Sequence, residues 1–331
     1  MTKRRIRMVT VDMDGTLVGP DGQVSARNLA AMHAAERAGV EIVIATGRRH
    51  SYAMKVLRGL GLNEENGLIT SNGAVIRTVG AELLGRSLLR RETGEWLCRQ
   101  IGEFRRALLV TFDRVMADGD DTHGALVVEG AEELQGSIGK WMTANARYIE
   151  KVVPIEESLG REGMIQMMLC GTIERMREAE ALLLTDPKVL GVGLAPLRRA
   201  EVRREGVEAP AVLPEAALHR TEYPERDLCI VDILPAGCSK GTAVMELAGR
   251  RGLKAEEILA IGDNWNDVSM LDAAGSAVLM GNAPPDLKEI AAGRGWVVGS
   301  RHDADGVAEV IEAALDDALE MPVMARSGKS D

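Results

Sequence analysis

The sequence predicts an α/β fold in which a doubly wound, mostly parallel sheet carries an inserted α+β module. Apolar strand-like segments alternate with amphipathic helical segments near both ends of the 331-residue chain, which is the pattern of parallel βαβ units. This alternation is lost between about residues 75 and 230. Several of the apolar segments stop abruptly at polar or small residues, as strands do where an α/β sheet opens onto a ligand crevice.

The first part of the chain predicts three buried strands joined by two helices. The strands are continuous apolar runs, at 6–11, 40–45 and 68–70. Ser25 is a suitable N-cap for the first helix and Gly39 a suitable end, while the second helix repeats apolar residues from Ala53 to Leu60 at helical spacing. Right-handed crossovers make three such strands parallel.

The middle of the chain predicts a module of a different kind. A hairpin at 75–84 leads out of the first sheet, and helices are expected near 92–104, 131–144 and 173–184. Strands are expected near 107–112, 124–129, 164–169 and 227–233. The stretch 198–226 is rich in Arg, Glu and Pro and predicts an elaborated loop with a helical piece.

The alternation of strands and helices returns near the end of the chain. A helix begins after Ser239, strands are expected at 258–261, 276–280 and 296–298, and a final amphipathic helix covers 307–315. The prediction is therefore a core domain made from 1–84 and 234–320, with an inserted module at 85–233 that lies over the carboxyl ends of the core strands. Residues 321–331 predict a flexible tail.

Four polar clusters follow or adjoin the predicted core segments. They are Asp12 with Asp14, Thr46, Lys240, and Asp263 with Asp267. Four carboxylates in one crevice repel each other strongly, so a positive charge must hold them together. Oxygen ligands suit a hard divalent cation, and a site with room for water and phosphate favours Mg²⁺. A calcium loop starting at Asp12 is excluded, because its sixth and twelfth positions need Gly and Glu, where the chain has Leu17 and Gln23.

Composition argues against several kinds of partner. The net charge of −10 and the 3% of aromatic residues disfavour binding to nucleic acid and to anionic membranes. No apolar run approaches the roughly 18 residues of a membrane span, and no apolar signal core follows the basic N-terminus. The four cysteines lack paired spacing, which is typical of reduced thiols. We therefore expect a cytoplasmic protein, while the sequence leaves its oligomeric state open.

Four motifs of the chain, in this order, resemble those of the haloacid dehalogenase superfamily. They are Asp12-Met13-Asp14-Gly15-Thr16, Ala45-Thr46-Gly47-Arg48, Ser239-Lys240-Gly241, and Gly262-Asp263-Asn264-Trp265-Asn266-Asp267. Asn72-Gly73-Ala74 and the long insert before the third motif resemble its Cof-type branch, which has a class IIB cap. The resemblance implies a Rossmann-like core, a cap domain that selects the substrate, and a Mg²⁺-dependent phosphatase of sugar phosphates or other small phosphorylated metabolites.

The resemblance also implies a role for each motif residue. Asp12 is the expected nucleophile, which forms an aspartyl-phosphate, and Asp14 is the expected general acid and base. The implied metal ligands are Asp12, Asp14 through its backbone carbonyl, Asp263 and Asp267. Lys240 is expected to stabilise the charge of the phosphoryl group. The other residues expected to bind phosphate or substrate are Thr46, Gly47, Arg48, Asn72 and Asn266.

Two other functions remain open. A phosphotransferase or phosphomutase of the same superfamily would use the same nucleophile but pass the phosphoryl group to a second hydroxyl. A non-catalytic regulator that binds a phosphorylated ligand would keep the fold, although all the expected catalytic residues are present here. A signalling receiver is disfavoured, because Asp12 follows the first strand and the insert is large.

Overall fold

The structure, a computed structural model, describes residues 6–116, 119–192 and 213–316. These residues form fifteen strands and nine α-helices. The strands are β1 (Met8–Val11), β2 (Glu41–Ala45), β3 (Gly67–Thr70), β4 (Val75–Thr78), β5 (Leu83–Arg86), β6 (Leu108–Phe112), β7 (Leu126–Val128), β8 (Ile149–Lys151), β9 (Met164–Gly171), β10 (Val189–Val192), β11 (Ala216–Tyr223), β12 (Leu228–Pro235), β13 (Ile258–Gly262), β14 (Ser276–Leu279) and β15 (Val297–Val298). The helices are α1 (Ala26–Arg37), α2 (His50–Leu57), α3 (Arg91–Gln100), α4 (Glu132–Ala144), α5 (Ile173–Leu183), α6 (Lys240–Arg250), α7 (Val268–Ala273), α8 (Pro285–Ala291) and α9 (Gly306–Leu315).

The first sheet is made from both ends of the described chain. Its strand order is β15-β14-β13-β1-β2-β3-β4-β5, and the pairs from β15 to β3 are parallel. The hairpin of β4 and β5 adds two antiparallel strands at one edge. Because β1, β2 and β13 are neighbours and parallel, the residues that follow them meet at one edge of the sheet.

Two helical layers cover the first sheet, as its continuous apolar strands require. Alternate residues of β1 point to opposite faces, so Val9 packs in the layer with Met32 of α1 and Ile311 of α9. Met8 packs in the other layer with Leu247 of α6. Both layers consist of buried side chains, mostly aliphatic or methionine, with Trp265 and Trp296 in the second layer, and they fix β1 in the middle of the sheet.

The second sheet lies in the insert and is mostly antiparallel. Its order is β10-β11-β12-β9-β6-β7-β8, with parallel pairs only at its two edges among the described strands. A doubly wound parallel core with an α+β cap was predicted from the sequence, and this prediction is confirmed. The predicted boundaries at 84/85 and 233/234 lie within β5, the last strand of the first sheet before the insert, and within β12 of the second sheet. The exact division stays a prediction.

One stretch differs from the sequence-based interpretation. Residues 198–226 predict a loop, yet β11 within it pairs with β12 over eight residues, from Ala216 opposite Pro235 to Tyr223 opposite Leu228. The polar run from His219 to Glu222 hides this strand, because its side chains form hydrogen bonds and ion pairs instead of apolar contacts. Residues 198–212 of that stretch and the tail at 321–331 lie outside the described residues.

Candidate active site

Asp12 lies where β1 ends, and a buried lysine neutralises it. The backbone N–H of Asp12 donates to Ile261 O at 3.0 Å, which continues the ladder between β1 and β13. Lys240 is the first residue of α6, and its Nζ lies 2.5 Å from Asp12 Oδ1 and 2.6 Å from Asp267 Oδ1. Burial alone would lower the pKa of Lys240, but the two carboxylates outweigh it and raise this pKa. The lysine therefore stays charged without any contact with water.

Asp12, Asp263 and Asp267 form a buried acid cluster. One carboxylate oxygen from each lies within 4.8 Å of the others. Burial, and then the charge of Asp267, raises the pKa of Asp12 to about 7, against the opposing charge of Lys240. Burial and the charge of Asp12 likewise raise the pKa of Asp263 well above its usual value. One ammonium thus leaves the acid cluster with surplus negative charge, and the oxygen-only donor set suits a hard divalent cation.

The two oxygens of Asp267 are already used within the protein. Oδ1 binds Lys240, while Oδ2 accepts the backbone N–H groups of Asp263 and Asn264 at 2.9 and 3.0 Å. Asp267 therefore holds the loop after β13 in its conformation by accepting hydrogen bonds from the backbone of that loop. Gly262 has to be glycine at this turn, because a Cβ there would lie 2.6 Å from the Cβ of Asp267.

Asp263 is oriented by residues that follow β1 and β14. Thr16 Oγ1 donates to Asp263 Oδ1 at 3.0 Å, and Asn282 Nδ2 reaches both Asp263 Oδ2, at 3.2 Å, and Gly15 O, at 2.8 Å. Asn282 was not among the residues predicted for the site, although it follows a core strand as several of them do. Gly15 has φ +82, and a Cβ there would clash with Asp263 Oδ2.

Asp14 is separate from the acid cluster and is held by an arginine. Arg48 Nε and Nη2 donate to its two oxygens at 2.8 and 2.6 Å, and the guanidinium lies 4.8 Å from the centre of the Tyr52 ring. Such a two-point contact fixes the direction of the Asp14 side chain. The carboxylate of Asp14 is thus bound to Arg48 and is not part of the acid cluster.

Thr46 and Gly47 form the turn between β2 and α2. The Thr46 N–H donates to Ile69 O at 2.9 Å, and its hydroxyl accepts the N–H of Arg48 at 3.1 Å. A Cβ at Gly47 would lie 3.3 Å from the side-chain amide of Asn72, so glycine keeps this turn close to the next one. Asn72 itself is fully buried, with φ +52.

A cavity of about 670 Å³ separates the first sheet from the insert. Among the predicted site residues, those that line it are Asp12, Asp14, Gly47, Arg48 and Asn266. The others lie directly behind this wall and do not line it; they are Thr46, Asn72, Lys240, Asp263 and Asp267. The structure therefore brings all ten into one region, in an inner and an outer layer.

The opposite wall of the cavity comes from the insert and was not predicted residue by residue. The face of the second sheet contributes polar side chains such as Gln166 and Asp232 beside apolar ones such as Met168. Helix α4 adds Trp141, whose ring meets that of Tyr52 edge to face at a centroid distance of 6.4 Å. The wall can therefore contact both polar and apolar parts of a ligand.

Ion pairs across the gap hold the insert against the first sheet. Arg77 of β4 makes a two-point contact with Asp113, which follows β6, at 2.9 and 3.0 Å. Arg49 pairs with Asp121 on the other side, and both side chains are buried. Buried pairs of this kind are costly to break one partner at a time. These two ion pairs therefore attach the insert to the first domain.

This chain belongs to the haloacid dehalogenase-like hydrolases, whose family model matches residues 9–188 and 217–311. It is similar to the 5-amino-6-(5-phospho-D-ribitylamino)uracil phosphatase YwtE of Bacillus subtilis, at 26% identity over 94% of this chain and 98% of that protein. It is also similar to the HMP-PP phosphatase of Escherichia coli, at 26% identity over 85% of this chain and 86% of that protein. The predicted family and the predicted kind of enzyme, a hydrolase whose relatives are named phosphatases, are confirmed.

Solved structures agree with the fold. A haloacid dehalogenase-like hydrolase from B. subtilis aligns with a TM-score of 0.68 and 23% identity, over 93% of this chain and 99% of that one. A subclass IIB sugar phosphatase aligns with a TM-score of 0.64 and 23% identity, over 92% and 98%. Identities this low support the fold alone. Among the described residues, no helix is both long and apolar enough to cross a bilayer.

Proposed function

We propose that this protein is a Mg²⁺-dependent phosphatase that hydrolyses a small phosphomonoester through an aspartyl-phosphate on Asp12. The observation that carries the proposal is the position of Asp12, which lines a covered cavity while its Oδ1 is bound by the buried ammonium of Lys240. A carboxylate presented to a cavity in this way is a suitable nucleophile. Phosphoryl transfer depends mainly on positioning and positive charge, which this site offers.

The reaction has two halves that use Asp12 and Asp14 in turn. An oxygen of Asp12 bonds to phosphorus, the bond from phosphorus to the leaving oxygen breaks, and Asp14 gives that oxygen a proton. Asp14 then takes a proton from water, whose oxygen bonds to phosphorus as the bond to Asp12 breaks. The products are the alcohol and inorganic phosphate. Because Arg48 occupies both oxygens of Asp14, this contact has to loosen while the proton is transferred.

The acid cluster supports a metal role for part of the predicted ligand set. We assign the ion to Asp12, Asp263 and the backbone carbonyl of Asp14. Asp267, whose oxygens already bind Lys240 and the loop, orients that set. Mg²⁺ bound there supplies positive charge that neutralises the acids and polarises the phosphoryl group. Thr46, Gly47 and Lys240 are the proposed partners of the phosphoryl oxygens.

The cavity supports a small phosphorylated metabolite as substrate, a sugar phosphate or a related compound. Its volume of about 670 Å³ is in the range of small-ligand sites, and its wall mixes amide, hydroxyl and apolar side chains. The named substrates of YwtE and of the HMP-PP phosphatase are also small phosphorylated molecules. The cysteines found in the described residues are buried free thiols, which suits the cytoplasm, where we place this protein.

Hydrolysis of p-nitrophenyl phosphate tests the proposal. We expect turnover with Mg²⁺, none in EDTA, and a loss of at least about a thousandfold in Asp12→Asn, because the nucleophile is gone. Asp14→Asn is expected to lower kcat by roughly 10²–10⁴-fold while inorganic phosphate and Mg²⁺ still bind. Asp303→Asn, which removes only an exposed partner of Arg301, is the control. Full activity in EDTA or in Asp12→Asn would refute the mechanism.

The phosphotransferase alternative gives a different product ratio. With p-nitrophenyl phosphate and a sugar as acceptor, a phosphatase releases as much inorganic phosphate as p-nitrophenol. A transferase releases less phosphate, and the deficit appears as a phosphorylated sugar. A non-catalytic regulator would bind phosphate and turn over neither compound.

A further inference from the structure

A buried carboxylate joins the insert to the turn after β3. Asp232 lies on β12, is 4% exposed, and accepts hydrogen bonds from two side-chain amides. Asn72 Nδ2, from the turn after β3, donates to Asp232 Oδ2 at 2.6 Å, and Gln166 Nε2, from β9, donates to Asp232 Oδ1. Asp232 was not among the site residues predicted from the sequence.

The contacts continue from Asn72 to the loop after β13. Asn266 Nδ2 donates to Asn72 Oδ1 at 3.0 Å. Asn72 is fully buried, whereas Asn266 lines the cavity. Asp232, Asn72 and Asn266 therefore form a chain of three side chains, here called the amide relay, that runs from the insert to the wall of the cavity.

The amide relay has a fixed direction. An ionised carboxylate only accepts hydrogen bonds, so Asn72 must turn its NH₂ group toward Asp232. The side-chain carbonyl oxygen of Asn72 then faces Asn266, which must donate a hydrogen bond to it from its own NH₂ group. The carbonyl oxygen of Asn266 is what remains for the cavity. Without a hydrogen-bond acceptor at position 232, no contact in the amide relay fixes the orientation of the side-chain amides of Asn72 and Asn266.

Stability does not explain a carboxylate at this position. Burial raises the pKa of Asp232 to about 7, and the two amides and the charge of Lys240 only partly oppose this effect. No lysine or arginine among the described residues forms an ion pair with Asp232. A buried charge of this kind costs folding free energy, and an apolar side chain of similar volume often costs less.

We propose that Asp232 is a positioning residue that makes Asn266 present a hydrogen-bond acceptor to the cavity. The group that Asn266 meets is then a donor, either a substrate hydroxyl or water, and not a phosphoryl oxygen. This assignment rests on the proposed function and replaces the phosphate contact expected for Asn266. Because Asp232 and Gln166 both belong to the second sheet, the direction is set by the insert.

Two substitutions of Asp232 distinguish its effect on the orientation of the amide relay from the effect of its negative charge. Asp232→Leu removes both acceptors at similar volume, so Asn72 and Asn266 lose their fixed orientation. Asp232→Asn keeps one acceptor, which Asn72 can use. Its new NH₂ group then faces Gln166, whose side chain makes no other hydrogen bond among the described residues and can turn its carbonyl oxygen to meet it. Glu180→Leu is the control, because it removes another buried carboxylate, on α5, which pairs with Arg220 and does not line the cavity.

The assay is the hydrolysis of p-nitrophenyl phosphate by the full chain with Mg²⁺. We expect Asp232→Leu to lower kcat by between about tenfold and a hundredfold with little change in the Mg²⁺ requirement, the usual cost of a misplaced active-site group. Asp232→Asn and the control Glu180→Leu are expected to stay close to the wild-type kcat. A wild-type kcat in Asp232→Leu, or an equal loss in Asp232→Asn, would overturn the proposal.

The side-chain amide resonances of Asn72 and Asn266 give a readout independent of activity. In the amide relay, Asp232→Leu shifts both resonances and Asp232→Asn largely restores them. A protein that hydrolyses no phosphomonoester but shows these shifts would refute the proposed function and leave the relay standing. Unchanged resonances in folded Asp232→Leu, judged by its melting temperature, would refute the relay alone.

Discussion

Replacing Lys240 by methionine tests how the acid cluster is held together. The Nζ of Lys240 lies 2.5 Å from Asp12 and 2.6 Å from Asp267, and none of it is exposed. Methionine keeps much of the length and apolar surface of the side chain but removes the charge. Removing one partner of a buried ion pair costs about 3–5 kcal/mol. Because two carboxylates lose their partner here, we expect a loss of at least about 3 kcal/mol in the free energy of unfolding.

The assay is urea unfolding in EDTA, followed by far-ultraviolet circular dichroism. Lys188→Met is the matched control, because Lys188 pairs with Glu215 at 2.9 Å on the surface, where 36% and 22% of the two side chains are exposed. A pair of that kind contributes about 0–1 kcal/mol. A similar urea midpoint for Lys240→Met and the control would refute the claim that Lys240 holds the acid cluster together.

For the same variant, Lys240→Met, we expect Mg²⁺ to act in the opposite direction and to stabilise the folded protein. A cation that binds only the folded state stabilises it by about 2.7 kcal/mol at a hundred times its Kd. The acid cluster of Lys240→Met has lost its ammonium and attracts a cation more strongly, so Mg²⁺ should raise its free energy of unfolding more than that of the wild type. In the proposed mechanism hydrolysis should stay low, since Asp12 has lost the ammonium that binds its Oδ1. If Mg²⁺ raises the free energy of unfolding of Lys240→Met by no more than that of the wild type, the claim that Mg²⁺ and the Lys240 ammonium bind the same acid cluster is contradicted.

Gly15→Ala is expected to weaken Mg²⁺ binding by about tenfold or more, because its Cβ would displace Asp263, and calorimetry measures this. Gly22→Ala is the control, with a similar φ of +80 but open space around the Cβ; equal affinities in both variants would refute the clash. His219 has its pKa lowered to about 4 by burial, so the stability it contributes is present above pH 6.5 and is lost as the pH falls toward 4. Between pH 7 and pH 4.5 this loss is about 2–3 kcal/mol, and urea unfolding of His219→Gln should show a correspondingly smaller pH dependence, unlike exposed His123→Gln. An unchanged pH dependence in His219→Gln would contradict the buried neutral imidazole.

The core could be predicted because two simple regularities act together. Continuous apolar runs predict strands buried on both faces, and parallel strands bring their carboxyl ends to one edge. Asp12, Thr46 and Asp263 follow three such strands, and the structure gathers them there. Asn282 follows β14 and gives the same signal, yet a single asparagine after a strand is also common in ordinary turns.

The insert could not be predicted to the same depth, because its cavity wall depends on register. A residue of an antiparallel strand faces the cavity or the outer layer according to pairing, and a shift of one residue reverses this. Gln166 and Met168 of β9 face the cavity only because β9 pairs with β6 and β12 as it does. Asp232 did carry a signal, since it is a single acid in the apolar run 228–235.

The different directions of Asp12 and Asp14 come from where β1 ends. Residues two apart on a strand point to the same side, so an extended chain would send both carboxylates into the acid cluster. β1 ends at Val11, however, and the chain turns directly after Asp12, whose carbonyl oxygen accepts the N–H of Leu17 at 3.2 Å. Asp14 is thereby turned to Arg48, while Asp12 stays with Lys240. In the proposed mechanism, a nucleophile and an acid–base group can thus follow one strand, two residues apart, with their carboxylates bound to different cationic side chains, and the turn after Asp12 is what separates them.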